Sequence, residues 1–136
     1  MSAYGATLLR VMLGIIYVMH GYYALVVLTP AGAAAFMANA MGLPFASVGV
    51  WYLIAAHMIG GALMILGIFT RWAALANIPI MACAVFLFHI KQGFFMTGAI
   101  AVGAPRAVGY EFSLLVLVAT AAQVLLGAGA LAVRGR

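Results

Sequence analysis

A single carboxylate side chain, Glu111, stands against six lysines and arginines in 136 residues, and charged residues make up 5% of the chain. A soluble domain carries about 25%. Because 69% of the residues are hydrophobic, the chain is read as an integral membrane protein. The net charge of +5 comes from missing acids rather than from a basic cluster. Nucleic acid is therefore excluded as a partner, since nothing is grouped to neutralise phosphates. Cys83 is the only cysteine, so no intramolecular disulfide and no two-cysteine redox relay can form. Cys-x-x-Cys-His, Gly-x-Gly-x-x-Gly and a phosphate loop are also missing, which removes covalent haem and nucleotide-driven transport. Redox chemistry here requires a bound cofactor.

What the chain does have is long apolar runs. A helical span needs about 20 apolar residues, and four are expected, at about 6–28, 49–69, 72–90 and 110–133. They form one domain over 1–136 and an all-α, antiparallel four-helix membrane bundle. Thr29-Pro30 closes the first span, because proline lacks the donor that continues a helix. The run from Val11 to Leu28 is long enough to cross the bilayer, so it is expected to stay in the mature chain and not to act as a cleaved signal. Thr70-Arg71 is a two-residue connection that makes the second and third helices antiparallel neighbours. In the first loop Phe36, Ala40 and Leu43 share a helical face beside Met37 and Met41, which reads as a short interfacial helix ended by Gly42-Leu43-Pro44. The second loop, Gln92 to Gly109, is apolar (Phe94, Phe95, Met96, Ile100, Val102) and is expected to fold back over the bundle.

Arg10, Arg71, Arg134 and Arg136 fall on one side of these spans and Lys91 and Arg106 on the other. That bias places both termini in the cytoplasm and both longer loops outside a bacterial inner membrane. Arg10, Arg71 and Arg134 are expected to anchor to lipid headgroups on the inner side, although Arg10 is deep enough to pair elsewhere. Asn77 and Gln123 are expected to make interhelical hydrogen bonds.

Ionisable groups in spans cost roughly 2.5 to 3.5 kcal/mol each, so each needs a partner or a task. His20 and His57 both come out about 12 Å below the outer surface at 1.5 Å of rise per residue. His89 lies at the outer end of the third span and Glu111 at the outer start of the fourth. All three histidines and the only acid thus fall in the outer half, one per helix, which scattered core histidines have no reason to do. In the first span Arg10, Gly14, Tyr17 and Gly21 recur at four, three and four residues, a small polar face toward the bundle with His20 on its flank. In the second, His57, Gly61 and Met64 share a face beside Gly60, so a helix backbone or a flat ligand can approach the imidazole.

Three chemistries suit this set. Imidazoles and a carboxylate resemble a metal shell, copper among the candidates, but no two sit at i, i+3 or i, i+4 on one helix. His20 and His57 are matched in depth and could hold a b-type haem. A quinone wants donors to its carbonyls, a carboxylate to move protons and an apolar groove, and His57, His89, Tyr110 and Glu111 with Phe94 and Phe95 supply those parts. A structural reading stands beside all three: side chains that fix helix register or reach the interface.

Arg10, His20-Gly21, Gly42-Leu43-Pro44, Gly60-Gly61, Leu66-Gly67-Ile68-Phe69-Thr70-Arg71, His89, Gly93-Phe94-Phe95 and Gly109-Tyr110-Glu111 together resemble the DoxX family, in order over nearly the whole chain. The resemblance implies a small four-helix membrane protein, similar to the DoxD subunit of thiosulfate:quinone oxidoreductase and linked to membrane oxidoreductase complexes. At His57 it implies an acidic residue, so an imidazole stands where a carboxylate is expected. The sequence thus points to a membrane subunit of an oxidoreductase system holding a quinone or similar ligand near the outer face. His20 and His57 would donate to it, Glu111 would relay protons with His89, and Tyr110 would orient one of them. The alternatives are a non-catalytic assembly subunit and a copper-handling protein, and each expects a larger membrane complex or a homo-oligomer.

Overall fold

The computed structural model describes residues 2–96 and 108–133. Among them the chain is all-helical, with no strand. Helix α1 covers Ser2–Val27, α3 Ala46–Leu66 and α4 Thr70–Gln92, all three long and apolar enough to cross a membrane. A shorter apolar helix, α5, covers Glu111–Leu126. Helix α2, Thr29–Met41, lies between α1 and α3 in the chain.

The helix faces invert the soluble pattern. On α1 the exposed residues Leu8, Met12, Ile15 and Met19 are all large and apolar, whereas the buried set includes Thr7, Arg10 and Tyr17. Such a chain uses lipid as its solvent and keeps polar groups for the interior. The expected inward face of Arg10, Gly14, Tyr17 and Gly21 is buried throughout. One core cluster draws Leu13 and Tyr17 from α1, Met64 from α3, Ala73 and Ala74 from α4 and Val116 from α5, so four helices share it.

Glycine sets the spacing of α1 and α3. A Cβ on Gly14 would stand 2.7 Å from the Gly61 carbonyl oxygen, and one on Gly61 would stand 2.8 Å from that of Gly14. Only two glycines allow this backbone approach, the packing that membrane helices use in place of a hydrophobic driving force. Gly21 in turn lies against Met58 and the Cβ of His57.

Several boundaries differ from the sequence reading. The second span begins at Ala46 rather than 49 and ends at Leu66 rather than 69. Gly67 takes a left-handed conformation (φ 76°), and the N–H groups of Gly67 and Ile68 return to the carbonyl of Leu63, the usual glycine stop of a helix. Helix α4 therefore starts at Thr70, and the connection is Gly67-Ile68-Phe69 rather than Thr70-Arg71. The fourth expected span is a shorter helix that stops at Leu126 instead of 133. Gly127 and Gly129 both have positive φ (75° and 77°), and the following strip crosses the bundle end. Ala130 N–H donates to Ala3 O at 3.0 Å, and Val133 N–H donates to Leu66 O at 3.1 Å. Irregular backbone is tolerated at such a place when protein groups satisfy it.

The first loop is helical, as expected, and Gly42 in the left-handed conformation ends it. Its buried face is Ala33 and Met37, which join Ala24, Ala46, Val50 and Ile54 in a second core cluster. Phe36 instead meets the Phe88 ring edge-on at 4.9 Å. Of the second loop, only its base falls within the described residues: Tyr110 N–H donates to Gly93 O and Glu111 N–H to Phe94 O. Ile100, Val102, Arg106, Arg134 and Arg136 lie outside them.

Arg10 is no lipid anchor. It is 1% exposed, its Nη2 donates to Leu131 O at 2.6 Å, and Nη1 lies against Gly67 where any Cβ would collide with it. The negative end of the α3 dipole and a tail carbonyl stabilise the cation. Gln123 is likewise not interhelical: its Nε2 donates to Gly127 O, capping its own helix. Arg71 is exposed and reaches Leu125 O at 3.4 Å.

Candidate functional site

A cavity of about 520 Å³ opens at the end of the bundle away from Arg10, within the 300–1,000 Å³ usual for small-molecule and cofactor pockets. Its wall is largely apolar, with Ile16, Phe36, Met37, Leu53, Phe112 and Val116 contributing. His20 from α1, His57 from α3 and His89 from α4 line it together.

Three helices widen at this level. Tyr23–Val27, Ala56–Gly60 and Ala84–Phe88 are π-helical turns, each holding one extra residue per turn and shifting the side chains that follow. Such turns collect at functional sites. Here each supplies a lining residue, among them Tyr23, His57 and Ala84.

His57 is the best-anchored of the three. It is 4% exposed, and its Nδ1 lies 2.7 Å from Asn77 Oδ1. Asn77 Nδ2 donates to Ala56 O at 3.0 Å and to Ala73 O at 2.9 Å. Gly60 makes this possible, since a Cβ there would stand 3.0 Å from Asn77 Nδ2. On its other side the His57 ring meets the Tyr17 ring at 4.9 Å. The Tyr17 hydroxyl pairs with Thr120 Oγ1 at 2.5 Å, and Thr120 Oγ1 donates to Val116 O at 2.7 Å. Two hydrogen-bonded pairs, α3 with α4 and α1 with α5, thus meet at the His57–Tyr17 ring contact.

His20 is exposed along its helix, with Nδ1 at 2.9 Å from Ile16 O. His89 has Nδ1 at 2.7 Å from Val108 O, across the base of the second loop, and packs edge-on against Phe88. Glu111 stands behind the wall rather than in it: its Oε1 accepts from Met96 N–H at 2.8 Å, and it is Met96 that lines the cavity. That partner is a backbone group, not Lys91 or His89. Phe94, Phe95 and Tyr110 form an aromatic corner of their own, with ring centroids 5.1 and 5.2 Å apart. None of the three is among the lining residues.

Of the residues expected at the site, the three histidines line the cavity together, and Glu111, Tyr110, Phe94 and Phe95 do not line it. The geometry adds residues that sequence reasoning did not place at the site: Tyr17, Tyr23, Tyr52, Ser113 and Cys83 in the wall, and Asn77 behind it. Asn77 was detectable as a strong polar group inside a span, and Tyr17 as part of the inward stripe of α1. Among the described residues no three histidine, cysteine or acidic side chains come close enough to hold a metal ion.

The DoxX family model matches residues 5–90. The chain belongs to the DoxX family. No curated protein and no solved structure matches it. The DoxX match includes His20, His57, Asn77 and His89, so the histidine end of the bundle falls within the family region. Gly93-Phe94-Phe95 and Gly109-Tyr110-Glu111, part of the resemblance read from the sequence, fall beyond it.

Proposed function

We propose that this DoxX protein is the membrane subunit of an oxidoreductase system and holds a quinone or a similar flat redox ligand in the histidine-lined cavity. The observation that carries this reading is that three imidazoles from three helices face one apolar cavity of about 520 Å³, each already fixed through Nδ1. Rings held in this way can bind a polar headgroup without paying to be ordered, while the apolar wall accepts the rest of the ligand. His57 and His20 hydrogen-bond the headgroup and His89 completes the polar rim. Glu111 holds the loop base through Met96.

The bundle is antiparallel in this reading. Its support is the α1–α3 register, in which Arg10 meets Gly67, Gly14 meets Gly61 and Gly21 meets His57. The distribution of arginines puts the Arg10 end in the cytoplasm and the cavity near the outer face of a bacterial inner membrane. Helix α2 then lies at the outer interface.

One observation favours a second reading. Phe94 and Phe95 are 45% and 60% exposed beyond the cavity, an aromatic corner suited to a neighbouring subunit in a larger complex. The visible spectrum and organic extract of the purified protein test the first reading. A quinone or its quinol in the extract at near-equal ratio to the protein supports it. A haem absorption band, or an extract without either and no binding of added quinone or quinol, overturns it.

A further inference from the structure

The hydrogen atoms around the cavity are committed in one direction. Carbonyl oxygens only accept, so the two bonds from Asn77 Nδ2 to Ala56 O and Ala73 O fix which end of the amide faces His57. Oδ1 therefore meets His57 Nδ1, and that nitrogen carries the proton. The neutral ring is left with a lone pair on Nε2. In His20 and His89 Nδ1 carries a proton too, because it faces the carbonyl of Ile16 and of Val108. Two lining hydroxyls are committed as well. Thr120 spends its proton on Val116 O and so accepts from Tyr17, and Tyr52 donates to Ala76 O at 2.6 Å.

Five lining groups have thus committed an N–H or O–H to acceptors within the protein. In their uncharged form the three rings offer an occupant only acceptors, at Nε2. Ser113 and Tyr23 add two more hydroxyls to the wall. An oxidised quinone also offers only acceptors at its carbonyls, so it faces the neutral imidazoles acceptor to acceptor. A reduced ring carries two hydroxyl donors.

We propose that the cavity selects the reduced, dihydroxy form of its ligand over the oxidised, dicarbonyl form, with His57 Nε2 as the principal acceptor of a ligand hydroxyl. This rests on the redox-ligand reading above. It also reverses the direction of hydrogen bonding expected from residue types alone, in which histidines donate to carbonyls. Asn77 is the positioning residue that fixes the His57 tautomer.

The test compares three ligands of nearly one shape on the purified full chain under anaerobic conditions: decylubiquinol, decylubiquinone and the ring dimethyl ether of decylubiquinol. Binding is read by thermal shift and by quenching of intrinsic fluorescence. Each lost hydrogen bond to a buried acceptor costs about tenfold in affinity, so the quinol binds at least about tenfold tighter than the quinone. The dimethyl ether, which has lost both donors, falls to the quinone's level. His57→Leu brings the quinol down to the quinone's affinity and leaves the quinone within about threefold. If that variant does not fold, His20→Leu, at an exposed position, narrows the preference instead. A quinone that binds as tightly as the quinol, or a preference that survives both substitutions intact, overturns the inference and leaves the redox-ligand reading standing. Failure of all three compounds to bind removes that reading, and this inference with it.

Discussion

At one end of the bundle a guanidinium is 1% exposed and closed in by Gly67, Ala132 and the Leu131 carbonyl. At the other, a neutral imidazole that is 4% exposed lines a cavity of about 520 Å³. The charged end is packed shut. Among the described residues Arg10 Nε and Nη1, Thr70 Oγ1 and Gln123 Oε1 are buried there without partners, and none of these residues lines the cavity. At the histidine end each Nδ1 is satisfied and room is left at the ring. Unpaired polar atoms alone therefore do not mark a binding site. The better mark is a polar group anchored from behind with space in front, because anchoring lets it meet a ligand without reordering.

The two ends share the contact that holds α1 to α3, so the largest effect comes from breaking it. Gly14→Val places branched carbons where even a Cβ stands 2.7 Å from the Gly61 carbonyl. The helices must separate, and the expected loss is about 3 kcal/mol or more. It reads as a large drop in melting temperature in detergent, together with loss of ligand binding. Gly32→Ala is the control. Its Cβ meets only Thr29 Oγ1 at 3.7 Å, inside a regular helix, so it is neutral or stabilises by up to about 1 kcal/mol.

Next in size is Asn77→Leu, which strands a buried His57 N–H and two carbonyls. The expected cost is about 2 to 3 kcal/mol. Because His57 loses its partner in that variant, adding His57→Leu to it costs much less than the same change in the native chain. A thermal-melt double-mutant cycle measures the difference. Strict additivity would mean that the Asn77–His57 bond does not order the cavity end.

Much of this was legible in the sequence. Long apolar runs gave the helices, and the recurrence of Arg10, Gly14, Tyr17 and Gly21 gave the inward face of α1, because period and glycine spacing are local properties. The convergence of the histidines was also legible, since depth along a helix follows from residue count. Rotation was less so. The three π turns each shift the following residues around the axis, and they arise where tertiary packing overrides the regular ladder. Phe94, Phe95 and Tyr110 were placed near the ligand by chemical type, but the loop base turns them into a corner outside the cavity. The C-terminal strip was read as helix because its apolar composition continues past Leu126. Gly127 and Gly129 end the helix in the left-handed region, and the Arg10 guanidinium gives the tail carbonyl at Leu131 a donor, a contact between residues far apart in the chain.

A smaller effect is expected at the closed end. Arg10→Met keeps the apolar stem but removes the donor to Leu131 O. Relief of charge burial offsets the lost hydrogen bond, so the global change stays within about 1 kcal/mol. The local change is larger: amides of Ala130 and Leu131 gain hydrogen exchange as the tail loosens, although Thr7 Oγ1 still accepts from both. Ligand affinity at the histidine end stays within twofold, by the order of magnitude at which distant sites add independently. A marked loss of binding in this variant would couple the two ends and end the division of labour drawn between them.

The smallest effect is expected where the sequence alone suggests the largest. Glu111 is the sole acid, yet its Oε1 accepts from Met96 N–H at 2.8 Å, and a glutamine carbonyl can accept the same bond. Glu111→Gln therefore keeps the loop base closed, with a stability change below about 0.5 kcal/mol and unchanged ligand affinity. Glu111→Ala removes the acceptor and costs about 1 to 2 kcal/mol, with greater protease sensitivity beside Met96. The pair separates shape from titration, since only the glutamine variant keeps the bond while losing the exchangeable proton. Quinol-linked turnover in membranes, measured per folded protein on the same preparation as the melting temperature, is expected to hold in Glu111→Gln. A fall in that turnover at unchanged stability would return Glu111 to the proton path, and the cavity end would then do more than bind.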